Sequence, residues 1–188
     1  MTDEYRILMD SFRCKRVYSE IDKEFLYQGI KNLKLKNTNY TIPTLEEVLR
    51  LVQGKVLLDI EIKNDRNDWV VCENLCRLLD TYSGDFIIKS FNPFYIWWFK
   101  KYSPNFIRGL LISRLRKTKM NKILKLAFFK MWFNFLAKPD FIVFDQRDLP
   151  NKRVEKLRKK GMPVLLFTIN KKDIENYNQY TGVLYEER

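Results

Sequence analysis

Leu57-Leu58-Asp59-Ile60-Glu61-Ile62-Lys63 is the stretch whose reading decides the fold. Aliphatic and charged residues alternate in it with period two, the pattern of a strand. Asp59, Glu61 and Lys63 fall on one face; Leu58, Ile60 and Ile62 fall on the other. Charges inside a core are costly unless they are paired or bind a ligand. The strand is therefore either an exposed edge with a wet face or a wall of a polar cavity. The rest of the chain chooses between the two.

Upstream, Ile42-Pro43-Thr44-Leu45-Glu46-Glu47 opens a helix that Gly54 closes. Thr44 is placed as N-cap, and Glu47 sits three residues later, as in a capping box. Further upstream, residues 5–9 read as a short strand ending at Asp10, and Ser19–Glu24 as a helical turn. Downstream the pattern alternates. Helices are expected over Asp68–Tyr82, Pro93–Lys101, Asn151–Lys160 and Lys171–Tyr180. Thr118–Ala137 reads as one long helix or a broken one. Strands are expected over Phe86–Ser90, Ile107–Ser113, Phe141–Asp145, Pro163–Ile169 and Gly182–Glu186.

Strand then helix, repeated, gives a mostly parallel sheet with helical crossovers. A doubly wound sheet and a (β/α)₈ barrel both fit. The first predicts a glycine-rich phosphate loop after an early strand, and the sequence has none. The second predicts polar residues at the C-terminal ends of several strands. Glu61, Lys63, Ser90, Ser113, Asp145, Thr168 and Asn170 meet that expectation, so the barrel is favoured. Its open edges are expected at Arg6–Met9 and Val164–Ile169.

The 188 residues read as one domain. A formal net charge of +12 favours acidic partners such as phosphate groups or anionic membranes. No nucleic-acid motif is present, so no nucleic acid is expected. Cys14, Cys72 and Cys76 are expected to be reduced in a cytoplasmic protein. The N-terminus lacks the pattern of a signal peptide, and Ile123–Ala137 is too short and too charged to span a bilayer. With no histidine in the chain, any hydrolytic mechanism must use carboxylates, lysine or a metal. Phe94–Lys101 and Phe128–Phe133 are aromatic and basic. They read either as helices packed on the barrel or as a surface for anionic lipid headgroups. The second is apolar nearly all round, which asks for further cover by a membrane or a second subunit.

Ile42-Pro43-Thr44-Leu45-Glu46-Glu47-Val48-Leu49, Glu61-Ile62-Lys63, Ser90-Phe91 and Phe167-Thr168-Ile169-Asn170 occur in this order. The set resembles the glycerophosphodiester phosphodiesterase family across nearly the whole chain. The resemblance implies a TIM-type (β/α)₈ barrel and metal-dependent hydrolysis of glycerophosphodiesters. Glu61 is then implied as a ligand of a divalent Ca or Mg ion, and Lys63 as a contact to a phosphate oxygen. The local alternative for Lys63 is an ion pair with Glu61 or Asp59. Phe167 is implied to pack on the glycerol moiety; the plain alternative is core.

Departures from the family pattern are large. Asp3 to Arg16 aligns with the family's third active-site element, and Asp10 stands where its second histidine belongs. On that register the first two strands are missing, leaving an incomplete barrel of about six of eight strands. Both family histidines and two of three metal carboxylates are then absent. The chain is expected to be inactive by itself, a fragment or pseudoenzyme. The alternative is a non-catalytic binding or interaction module, associated with a membrane surface.

Overall fold

The computed structural model describes residues 29–36, 38–63, 69–115 and 121–186. The expected strand at 5–9, the turn at 19–24 and Asp10 lie outside these residues. Helix α1, Leu45–Val52, begins as the sequence demands. Glu47 N donates to Thr44 Oγ1 at 3.2 Å, and Thr44 N donates to Glu47 Oε2 at 2.7 Å. Lys31 adds a hydrogen bond to Glu47 and, as the largest cause, holds its carboxyl below the usual range. The helix stops one residue before the expected glycine: Gln53 already takes the left-handed conformation, with φ 48°.

Six strands joined by five connections follow. They are β1 Leu58–Ile62, α2 Val70–Asp80, β2 Phe86–Ser90, α3 Pro93–Tyr102 and β3 Arg108–Ile112. Next come α4 Lys122–Phe129, α5 Asn134–Ala137, β4 Phe141–Asp145 and, after the 3₁₀ turn Gln146–Asp148, α6 Lys152–Lys159. The chain then runs through β5 Val164–Asn170, a 3₁₀ segment Lys171–Tyr177 and β6 Gly182–Glu186. Every strand pairs in parallel with the next in sequence, in the order β1-β2-β3-β4-β5-β6. A doubly wound sheet reverses its strand order at a switch point. Here there is no reversal, so right-handed crossovers keep the helices on one face and the sheet curls into a half-barrel.

Strand alternation divides the side chains into two layers. On the outside, Ile62 of β1 and Ile88 of β2 pack under Cys72 and Leu75 of α2 and Tyr95 and Phe99 of α3. Ile142, Phe144, Val164 and Leu166 pack under Ile96, Met131 and Val154. Full burial of each such side chain contributes about 1.5–3 kcal/mol. On the inside, Leu111, Phe141 and Val143 meet Ile87, Phe91, Leu165 and Phe167. Gly109, opposite Phe141 in register, leaves room for its ring; a Cβ there would lie 2.3 Å from ring carbons Cε2 and Cζ.

Two expectations need correction, and two open readings are decided. Val164–Asn170 is not an edge, because β6 covers its far side. Among the described residues the edges are β1 and β6. Of the two readings of Thr118–Ala137 the broken helix holds over the described residues, with the break where Met131 turns left-handed at φ 56°. Lys171–Tyr177 is 3₁₀ rather than α. Of the two readings of Phe94–Lys101, packing on the barrel holds: Tyr95, Ile96, Trp98 and Phe99 are buried against the sheet. No helix among the described residues is long and apolar enough to cross a membrane.

The end of the half-barrel is fastened through α6. Tyr180 Oη donates to Glu155 Oε1 at 2.8 Å, while Arg158 Nη2 donates to Glu155 Oε2 at 2.9 Å. Burial and then the Glu155 bond push the Tyr180 phenol up to about 12. A raised phenol pKa disfavours ionisation in the fold. The stability tied to it is whole below pH about 10 and is lost as pH rises from there through about 12. Ultraviolet titration should show one phenol ionising late, and Tyr180→Phe should remove that step. Identical titrations of the two proteins would contradict this clamp.

Candidate functional site

The site is the C-terminal mouth of the half-barrel, where the inward faces of β1 to β5 end. Parallel register sets Glu61 beside Lys89 and Asp59 beside Ile87. Lys89, only 2% exposed, donates its Nζ to Asp59 Oδ2. The other Asp59 oxygen, Oδ1, is buried without a hydrogen-bond partner. One residue pair further along, Lys63 Nζ lies 3.8 Å from Glu61 Oε2. That is an ion pair, beyond ordinary hydrogen-bond length. The three β1 charges thus line an inner wall, and the aliphatics of the same strand face the helices.

Ser90-Phe91-Asn92 closes the mouth between β1 and β2. Ser90 Oγ donates to Ile62 O at 2.9 Å and accepts from Asn92 N at 3.1 Å. Asn92 Oδ1 in turn accepts from Phe94 N at 3.0 Å and caps α3. Phe91 is left pointing inward, its ring 6.1 Å from that of Phe167 and nearly perpendicular to it. Phe167 therefore sits on the inner face with Glu61, at the position where β5 bulges. Leu166 faces Val183 and Ile169 faces Tyr185, so three residue steps on β5 match two on β6. The extra residue leaves Thr168 exposed and returns Ile169 to the buried outer layer.

Two arginines complete the rim. Arg147 clamps Asp145 in a fork, Nε to Oδ1 at 2.9 Å and Nη2 to Oδ2 at 2.7 Å. The buried Asp145 carboxylate raises the already high pKa of that guanidinium. Arg114 N donates to Asp148 Oδ2 at 2.9 Å, and its Nε lies 3.3 Å from Asp148 Oδ1. Both carboxylates are buried and both arginines exposed.

The polar strand ends thus separate by task. Ser90, Ser113 and Asp145 hold backbone N–H groups of the following turns. Glu61, Lys63 and Phe167 face the interior together. The sequence pattern does not single out Lys89, Arg114, Arg147 or Asp148. Lys89 had a signal: it shares parity with Ile87, so a parallel partner places it against the acidic face of β1. The arginines have none, since their direction is set by the loops after β3 and β4.

A divalent ion would have to be held at Glu61. Ca²⁺ takes six to eight oxygens and Mg²⁺ about six. Asp59 is committed to Lys89, Asp145 to Arg147 and Asp148 to Arg114. Among the described residues no group of three or more His, Cys, Asp or Glu is placed to hold a metal. The donors among the described residues do not fit Ca²⁺ or Mg²⁺.

The sequence profile of the glycerophosphoryl diester phosphodiesterase family matches residues 6–184. The chain belongs to this family. The half-barrel is similar to solved structures of phosphodiesterases. Against a Galdieria sulphuraria protein assigned as a glycerophosphodiester phosphodiesterase it has 17% identity and a TM-score of 0.66, covering 84% of this chain and 65% of that one. An Oleispira antarctica phosphodiesterase, solved with its product sn-glycerol 3-phosphate, gives 22% identity and a TM-score of 0.61, covering 77% of this chain and 57% of that one. A glycerophosphodiester phosphodiesterase from Parabacteroides distasonis gives 14% and 0.59, covering 85% and 66%. At such identities the likeness is one of fold. The chain spans between 57% and 66% of these three chains. No curated protein matches it significantly.

Proposed function

We propose that this family member binds a glycerophosphodiester-type ligand at the mouth of its half-barrel and that residues 1–188 alone do not hydrolyse it. The placement of Glu61, Lys63 and Phe167 on one inner face supports the binding part. Lys63 offers a compact point charge to a phosphoryl oxygen once it exchanges Glu61 for the ligand. Phe167, already braced by Phe91, offers an apolar surface to the glycerol carbons. Catalysis by this family rests on acid–base and metal chemistry. Residues 1–188 hold no histidine, and the described carboxylates at the mouth are each engaged by a cation. That engagement also favours a second reading, a non-catalytic binding module on the same scaffold. A cytoplasmic setting goes with this reading, because the cysteines of the chain read as reduced thiols.

Incubation of residues 1–188 with glycerophosphocholine and Ca²⁺ or Mg²⁺ is expected to release no choline above the uncatalysed rate. Turnover that Glu61→Ala abolishes would overturn the inactivity and restore Glu61 as a metal ligand.

A further inference from the structure

The net positive charge of the chain resides in one segment. Residues 86–139 contain twelve Lys and Arg and not one Asp or Glu. The rest holds 23 basic against 23 acidic residues, so the whole net charge of +12 resides in that segment. Some of it is internal: Lys89 pairs with Asp59 and Arg108 with Asp140. Lys101, Lys122, Lys130 and Lys138 lie on the surface.

The same segment carries four exposed apolar side chains along α4, at the corner after it and on α5, two of them the most exposed large hydrophobics among the described residues. Phe135 is 77% exposed, Ile123 74%, Trp132 52% and Leu126 46%. The corner is a built one. Met131 turns it with φ 56°, Lys130 N donates to Leu126 O at 2.8 Å, and Trp132 N donates to Ala127 O at 3.1 Å. Phe128 and Phe133 pack at 5.1 Å between ring centroids. Ala127, Met131 and Ala137 are buried and root it in the protein. The basic surface continues onto α6, because Arg153 Nη1 donates to Lys130 O.

We propose that this corner seats the protein on an anionic lipid bilayer. Ile123, Leu126, Trp132 and Phe135 would enter the headgroup boundary, with the lysines set against anionic headgroups. Apolar side chains flanked by lysines are the composition that such interfaces select. Two other occupants fit worse. A second copy would bring this uncompensated positive surface against another like it. Nucleic acid would use aromatic rings for stacking but has no use for exposed Ile123 and Leu126. The proposal is independent of whether the mouth binds a phosphodiester.

The test is sedimentation of the full chain with phosphatidylcholine vesicles, with and without phosphatidylglycerol. Binding is expected only with the anionic lipid, and it should weaken with salt. Lys122→Gln and Lys130→Gln should each reduce vesicle affinity about fivefold. Trp132→Ser with Phe135→Ser should reduce it about tenfold or more, at exposed sites that leave the circular dichroism melt unchanged. Brominated lipid should quench the wild-type fluorescence, and Trp132→Phe should lose that quenching. Equal binding to neutral vesicles, or no effect of the paired substitution, would overturn the proposal. So would an anionic-vesicle affinity no better than that for polyuridylate RNA, or a dimer that the paired substitution dissociates.

Discussion

Asp59→Ala is expected to lower the unfolding free energy by about 3 kcal/mol, towards the low end for a broken buried pair. Lys89 is 2% exposed, and its ammonium donates to Asp59. Removing the carboxylate leaves a charge inside the half-barrel without its partner. The low end applies because the Asp59 side chain keeps 22% exposure. Asp59→Leu with Lys89→Leu removes both charges and should cost less than either single change, since two well-packed aliphatics replace a buried pair at little loss. Urea denaturation of the wild type, both single variants and the double gives the coupling directly. Single variants within about 0.5 kcal/mol of wild type, the range of ordinary surface positions, would put the pair in solvent. The charged face of β1 would then be a wet edge and not a cavity wall.

Gly109→Ala is expected to cost about 1–3 kcal/mol by overpacking the interior. The added methyl would meet the Phe141 ring at 2.3 Å, a separation that real Cβ atoms do not show. The ring is 5% exposed and flanked by Leu111 and Val143 in the inner cluster, so it has little room to yield. Phe141→Leu should recover part of the loss when combined with Gly109→Ala, although alone it destabilises. Strict additivity of the two changes would contradict the contact and the curvature that brings β3 and β4 face to face around it.

The barrel was legible in the sequence because its signals are periodic and local. Phe86–Ser90, Phe141–Asp145 and Gly182–Glu186 have the bounds expected from their apolar runs and flanking punctuation. Thr44 and Glu47 announced α1 through side-chain chemistry that acts over three residues. What was misread or left open has tertiary causes. Met131 adopts a left-handed backbone that methionine does not advertise, so the apolar pattern left open whether Thr118–Ala137 is whole or broken. Lys171–Tyr177 has helical composition but follows the bulged end of β5, where it winds as 3₁₀. Val164–Asn170 could not be recognised as internal without the pairing of β6.

The candidate site divides in the same way. Glu61 and Lys63 share a face by strand parity alone, which a single strand reveals. Lys89 required the register between β1 and β2 as well. Arg114 and Arg147 follow strands whose ends were recognised, yet their guanidinium positions depend on loops that bring them to Asp148 and Asp145. The structure also changed the meaning of the polar strand ends. Ser90 and Ser113 mark the mouth as expected, but their hydroxyls tie the backbone.

The central claim is that the inner wall of β1 is a binding surface. Titration of the isotope-labelled protein with sn-glycerol 3-phosphate, followed by NMR, tests it most directly. Resonances of Glu61, Lys63 and Phe167 are predicted to shift together. Lys63→Ala should weaken the binding about tenfold or more, the loss of a hydrogen bond to a charged group. Shifts confined to the lysines of α6, Lys152–Lys159, or an affinity unchanged by Lys63→Ala, would contradict the account.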